Sequence, residues 1–304
     1  MNIEKRLKNL SVPNGKIDVV LDTDTYNEID DQFALAYLLA SKEKLNTKAI
    51  YAAPFFNSHS ISPEDGMKKS YNEILHILDL TNEKKEVFKG SKTYLPDEKT
   101  PVLSDAAQNL CKLAANYSPE NPLYVVSIGA ITNIASALIL SPEISENIVI
   151  VWLGGHARHY HDTKEFNMKQ DIAAARVVMK SGAPFVQLPC CGVVSSFTVS
   201  EPELNYWLKG KGALADYLVE STINEAVKFT KSKTWTRCIW DVAAVAWLLN
   251  DNDRFMLSSI EKTFLPTYDY HYACDNSGEL MRYVYYIRRD TLLDDLINKI
   301  TNFK

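Results

Sequence analysis

Five acidic side chains crowd one stretch, Asp22-Thr23-Asp24-Thr25-Tyr26-Asn27-Glu28-Ile29-Asp30-Asp31, directly after the apolar run Val19-Val20-Leu21. Phe33, Ala34, Tyr37 and Leu38 follow with helical periodicity, so the acids occupy a strand-to-helix turn. Helix capping explains part of this. A helix N-terminus favours anions by about 0.3–1 kcal/mol each, which suits Asp30 and Asp31 but says nothing of Asp22 and Asp24. Carboxylates packed this closely repel one another and take up protons unless a cation neutralises them. The candidate ligands are all oxygens, with no His or Cys in the stretch, which favours hard Ca²⁺ or Mg²⁺ over Zn²⁺.

Such a cluster needs a rigid scaffold. Short apolar or β-branched runs at residues 17–21, 47–53, 123–127, 148–153 and 185–188 read as buried parallel strands. Helical patterns with legible starts lie between them: Ser62-Pro63 opens a stretch reaching Leu80, Ser104 opens the next, and Asp171 opens a run ending at Gly182. The second half is more helical, with Ser200 and Glu203 spaced as a capping box and further patterns at 213–230, 241–249 and 291–300. The alternation predicts an α/β fold with an open, mostly parallel, doubly wound sheet and flanking helices, whose ligands bind outside the carboxyl ends of the strands. No repeat or Pro/Gly/Ser linker argues for a cut, so the expected organisation is a single domain over 1–304.

Composition excludes several classes of function. With 304 residues and 46% hydrophobic content the chain can bury a large core. Its apolar runs are far shorter than the ~20 residues of a bilayer span, so no membrane partner is expected. The first ten residues mix Glu4 with Lys5, Arg6 and Lys8 and lack a secretory apolar stretch, which points to a cytoplasmic location. The five cysteines, Cys111, Cys190, Cys191, Cys238 and Cys274, are an odd set without metal-like spacing and read as free, mostly buried thiols. A net charge of −5 with scattered basic residues argues against nucleic acid and leaves room for a small, neutral, sugar-bearing substrate.

The turn at 22–31 resembles the signature of the inosine-uridine-preferring nucleoside hydrolase family: Asp-x-Asp, a short loop, then Asp-Asp opening a helix. The resemblance continues through Ile131-Thr132-Asn133-Ile134-Ala135, the strand end Trp152-Leu153-Gly154-Gly155, and Glu165-Phe166-Asn167 followed by Asp171 and Arg176. It closes at Asp241 before Val242-Ala243-Ala244-Val245-Ala246. Singly these motifs are weak; their conjunction in order is specific.

The resemblance implies calcium-dependent hydrolysis of the N-glycosidic bond of ribonucleosides, or related N-ribosides, to ribose and free base, in purine or pyrimidine salvage. Carried over residue by residue, it implies Ca²⁺ held by Asp24, Asp31, the Thr132 backbone carbonyl and Asp241. Asp30, Glu165 and Asn167 would hold the ribose hydroxyls, Asp24 would accept a proton from the attacking water, and Asp22 would orient the groups around the metal. A homodimer or homotetramer is implied as well. The residue types suit the chemistry, because an oxocarbenium-like transition state needs negative charge near the sugar, a positioned water and help for the departing base. Taken alone, Glu165 reads as a loop acid, Asn167 as a turn former and Asp241 as a helix cap.

The sequence also departs from the family pattern. The loop from Asp24 to Asp30 is longer than the family's Asp-Pro-Gly-x-Asp-Asp turn and carries Thr25, Tyr26, Asn27 and Glu28, so the metal geometry requires the extra residues to bulge outward. Asn27 or Glu28 would then add a contact to the metal or sugar, but a solvated loop is the expectation. Pro54-Phe55-Phe56-Asn57 replaces a Gly-Asn, leaving Asn57 as the candidate ribose ligand there. Trp240 stands where many members carry a histidine that protonates the leaving base; it can stack on a base or pack into the core. Substitute acids are available in His156, His159, His161 and His271.

Two rival functions follow. Asp22-Thr23-Asp24-Thr25 fits the nucleophile motif of haloacid dehalogenase-type phosphatases, although Asp30-Asp31 falls in the wrong place for that family's later acidic pair. The other rival is a non-catalytic ribose or nucleoside binder of the same fold that has lost leaving-group activation.

Overall fold

A computed structural model describes residues 1–273 and 278–303; Cys274 lies outside the described residues. The chain enters through α1 (Ile3–Asn9) and builds β1 (Ile17–Thr23), α2 (Asp30–Ala40), β2 (Leu45–Ala52), α3 (Pro63–Leu80), β3 (Val87–Lys89) and α4 (Asp105–Ala114). It continues with β4 (Leu123–Ser127), α5 (Thr132–Leu140), β5 (Ile148–Leu153), α6 (Phe166–Gln170), α7 (Ile172–Lys180) and β6 (Phe185–Leu188). A small pair, β7 (Thr198–Ser200) and β8 (Thr236–Cys238), brackets α8 (Glu201–Trp207) and α9 (Ala213–Phe229). The chain ends with α10 (Val242–Trp247), β9 (Met256–Lys262), β10 (Leu280–Ile287) and α11 (Arg289–Thr301).

Among the described residues, eight strands form one sheet in the order β3-β2-β1-β4-β5-β6-β10-β9. β9 runs antiparallel to β10, while the remaining pairings are parallel. The sheet is thus mostly parallel and doubly wound, as the alternation predicts. Because both faces are covered, alternate residues of one strand enter different cores. Val19 and Leu21 of β1, with Val149 and Val151 of β5, pack into one apolar cluster; Val20, Ile148 and Ile150 pack into the other.

Strand order reverses between β1 and β4, neighbours from which the chain departs in opposite directions. A crevice opens at the carboxyl ends of strands at such a point. Register sets Asp22 opposite Ser127 across this pair. Everything that follows β1 and β4 therefore meets: the acidic turn from one, and the segment leading into α5 from the other.

The helix starts follow local chemistry. Ser62 accepts from Asp65 N, Ser104 from Ala107 N and Asp171 from Ala174 N, and Ser200 and Glu203 form the capping box that opens α8. Among the described residues, no helix is long and apolar enough to cross a membrane.

Candidate functional site

The acidic turn splits into carboxylates with partners and one without. Asp22, fully buried, accepts from Asn133 Nδ2 at 2.7 Å and Ser127 Oγ at 3.1 Å. Asp31 accepts from Thr23 Oγ1. Asp24 is 1% exposed, and neither of its carboxylate oxygens has a hydrogen-bond partner. Orphaned buried carboxylate oxygens are expensive, so this atom pair calls for a ligand.

Capping does not use the acids. Asp30 and Asp31 lie in the first turn of α2, whose start has no side-chain cap, and Asp241 precedes α10 without capping it. Oxygens of Asp30, Asp31 and Asp241 instead lie within 4.8 Å of one another, all three residues buried. Asp241 reaches them although it is more than two hundred residues distant in the chain. Asp24 stands outside this tightest trio but is electrostatically coupled to it.

The charges cannot coexist comfortably in that setting. Burial pushes Asp22 and Asp31 up to about 7. Asp24 is raised well above the usual carboxylate range by burial and then by Asp31 and Asp30; Asp241 is raised likewise by burial, Asp30 and Asp31. Four buried carboxylates, one stripped of partners, with oxygen as the donor set, fit a hard divalent cation. Gly129 brings the backbone after β4 close to them, since a Cβ there would lie 3.1 Å from Asp24 Oδ1. The Thr132 hydroxyl donates to Asp171 Oδ2 at 2.7 Å, so the side chain of Thr132 is already engaged.

A cleft of about 220 Å³ opens beside the trio, lined by Asp30, Asp241, Glu165, Asn167, Trp240 and His156 among others. Asn167 Nδ2 donates to the carbonyls of Ile128 at 3.2 Å and Leu153 at 3.0 Å, which leaves Oδ1 for a ligand. Glu165 caps α6, accepting from Asn167 N, Met168 N and Gly155 N at 2.8–2.9 Å. Burial nevertheless raises it to about 7. Gly155 holds φ +75°, and a side chain there would strike the Tyr272 hydroxyl, so a glycine is required at this turn.

Other sequence candidates fall elsewhere. Asn57 does not line the cleft: its Nδ2 donates to Asn27 Oδ1 at 2.6 Å and its Oδ1 accepts from His59 N at 2.8 Å. Of the four candidate histidines, His156 alone borders the cleft. His161 is 86% exposed beside Asp162, and His271 pairs with Asp269 on the surface. Burial lowers the pKa of His156, and its Nδ1 has no partner. Trp240 lines the cleft while packing on the core beneath it.

The long loop is not the solvated bulge that its composition suggests. Thr25 and Asn27 are buried, Asn27 O accepts from His59 Nδ1 at 3.0 Å, and Glu28 lies 3.6 Å from Arg237. Asn57 and His59 are what draw it inward. Tyr94 was not legible at all: its hydroxyl is buried without a partner, near enough to Asp24 and Asp171 that, after burial, both raise its pKa. The preceding segment gives no motif for it; the adjacent Leu95 N, donating to Asp171 Oδ2 at 2.8 Å, is what brings it here.

Fold and site together define a doubly wound α/β protein with a buried oxygen-donor centre at its topological switch point. The chain belongs to the inosine-uridine preferring nucleoside hydrolase family, an enzyme family whose model matches residues 19–290. It is 26% identical over 222 residues to a probable uridine nucleosidase 2 from Arabidopsis thaliana, a stretch covering 66% of this chain and 67% of that protein. It is also 29% identical over 143 residues to the non-specific ribonucleoside hydrolase RihC of Shigella flexneri, covering 43% of this chain and 42% of that one. The aligned part thus spans less than half of the Shigella protein. In three dimensions it is similar to the purine-preferring ribonucleoside hydrolase from Gardnerella vaginalis, with a TM-score of 0.71 at 19% identity, covering 94% of this chain and 98% of that one.

Proposed function

We propose that this chain hydrolyses the N-glycosidic bond of ribonucleosides or related N-ribosides, giving ribose and free base, with Ca²⁺ as its cation. The observation that carries the reading is Asp24: a buried carboxylate without hydrogen-bond partners, close enough to Asp30, Asp31 and Asp241 to feel their charge, two of which, Asp30 and Asp241, line a sugar-sized cleft. Asp24, Asp31, Asp241 and the Thr132 backbone carbonyl would hold the ion. Bound there, it supplies charge neutralisation and Lewis acidity.

The chain's own groups do the rest. Asp24 takes the proton of the attacking water. Asn167 Oδ1 and Glu165 accept from ribose hydroxyls, and Asp30 sets negative charge beside the sugar as its ring becomes cationic. Trp240 offers the leaving base an apolar face rather than a proton. The phosphatase reading is disfavoured because Asp22, its nucleophile, is fully buried with both carboxylate oxygens engaged and does not border the cleft. One domain over 1–304, a homodimer or homotetramer, and a cytoplasmic location complete the proposal.

A reducing-sugar assay over purine, pyrimidine and nicotinamide ribosides, with and without chelator, tests it. Ribose release abolished by chelator and restored by Ca²⁺ is expected. Tight riboside binding with no ribose release would favour the non-catalytic binder, and chelator-insensitive release would remove the cation from the scheme.

A further inference from the structure

One wall of the sugar cleft has no task in the proposed mechanism: His156, Lys164 and Phe166 line it beside the groups already assigned. A riboside presents three parts to such a cleft, the base on C1′, the diol on C2′ and C3′, and the 5′ carbon. With the base against Trp240 and the diol beside Asp30 and the cation, the 5′ carbon is the part left to face this wall.

The acids that line the cleft are all committed. Asp30 and Asp241 belong to the buried trio, Glu28 faces Arg237 at 3.6 Å, and Glu165 accepts from three backbone N–H groups. Lys164 is the opposite case. Among the described residues it is the only lysine or arginine lining the cleft, and it makes no ion pair there. Asp162, two places before it, pairs with His161 at 3.0 Å, and Lys164 Nζ lies over the Tyr270 ring at 5.4 Å. The backbone at this point is held on both sides, since Lys164 N donates to Asp162 Oδ1 at 3.0 Å and Glu165 N donates to the Thr163 carbonyl at 2.8 Å. Among the described residues the His156 ring makes no hydrogen bond either, and burial keeps it neutral, so it offers one N–H. An ammonium without a counter-ion and an imidazole without a partner, on the wall that faces the 5′ carbon, suit an anionic substituent there.

Resting on the hydrolase reading, we propose that the cleft takes 5′-phosphorylated N-ribosides, with Lys164 binding the phosphate and His156 as a second donor. The bond that breaks is the same: water adds at C1′, the base leaves with a proton, and the sugar product is ribose 5-phosphate. A monophosphate is the class that fits, because the further charge of a di- or triphosphate finds no second lysine or arginine among the described lining residues.

The test compares nicotinamide riboside with its 5′-phosphate in the wild type and in Lys164→Gln. Lys164 is exposed, so the substitution leaves the core intact. In the wild type kcat/KM should be about 10-fold higher for the phosphate, and Lys164→Gln should remove that advantage through KM. Added salt should erode the advantage in the wild type, since it screens a partly exposed charge pair. A wild type that turns over the riboside as well as or better than the phosphate overturns the proposal, as does an undiminished advantage in folded Lys164→Gln. If the wild type releases base from neither substrate, the hydrolase reading falls, and calorimetry with ribose and ribose 5-phosphate decides the site. Ribose 5-phosphate bound about 10-fold more tightly than ribose, with the difference lost in Lys164→Gln, supports it; equal or absent binding overturns it.

Discussion

Asn133 Nδ2 donates to Asp22 Oδ1 at 2.7 Å, tying the first turn of α5 to the end of β1. The other end of the same amide accepts from Ser91 N at 2.7 Å, so three segments converge on one side chain. Asp22 and Asp24 stand two places apart on one strand end, yet this bond separates their roles. Asp22 anchors the backbone, and Asp24 is left for a ligand.

Asn133→Leu should therefore destabilise the protein by roughly 1–3 kcal/mol, because it leaves a buried carboxylate short of a partner. Asp24→Asn should do the opposite in the cation-free protein, leaving stability unchanged or raising it by removing a buried charge. Chemical denaturation of both variants in chelator checks the contrast; equal destabilisation would show that Asp24 has a structural partner.

Asp24→Ala should abolish ribose release, whereas Thr132→Ala should keep most of it and lose about 1 kcal/mol of stability, since its hydroxyl holds Asp171 rather than the cation. Activity and melting temperature measured on the same preparations separate these effects. Abolished activity in folded Thr132→Ala would place the hydroxyl in the reaction.

Burial raises Asp22 and Asp31 from about 3.8 to about 7 in the cation-free protein. The folded state then keeps protons that the unfolded chain has released. The stability contributed by these groups is full below about pH 3.8 and is lost as the pH rises to about 7. On the proposed ligand set, Ca²⁺ would compete with the proton on Asp31, so the rise in Tm on adding it should be larger near pH 7 than near pH 5. Thermal denaturation across that range is the measurement, and a shift independent of pH would contradict the coupling.

Trp240 borders the cleft where a proton donor would serve the leaving base, and burial holds His156 in its neutral form. General acid catalysis is worth about 10² to 10⁴-fold, so p-nitrophenyl riboside and nicotinamide riboside should outrun inosine and uridine by at least about 10² in kcat/KM. His156→Gln should change the rate on inosine by less than about 10-fold, and a loss near 10² would identify His156 as the acid.

Much of the scaffold was legible locally. The strands at 123–127, 148–153 and 185–188 have the bounds that their apolar runs indicate, because fully buried parallel strands must be apolar throughout. Serine and aspartate caps marked the starts of α3, α4, α7 and α8 for the same reason: each satisfies a backbone N–H within its own turn. The remaining strands were less legible. β10 mixes buried and exposed positions without clean alternation, and β3, β7 and β8 have three residues each, too few to carry a period.

Within the site, the sequence by itself determined the acidic turn, its place at the end of β1 and, through residue type, its all-oxygen donor set. Tertiary structure alone decided which acids converge, since Asp241 reaches Asp30 and Asp31 across the fold. It also decided that Asp22 is satisfied and Asp24 is not, that His156 rather than its neighbours borders the cleft, that Asn57 serves the loop, and that Lys164 reaches the cleft. Residue type fixes what a group can donate or accept, but whether that capacity is spent on the protein or kept for a ligand depends on neighbours supplied by distant segments.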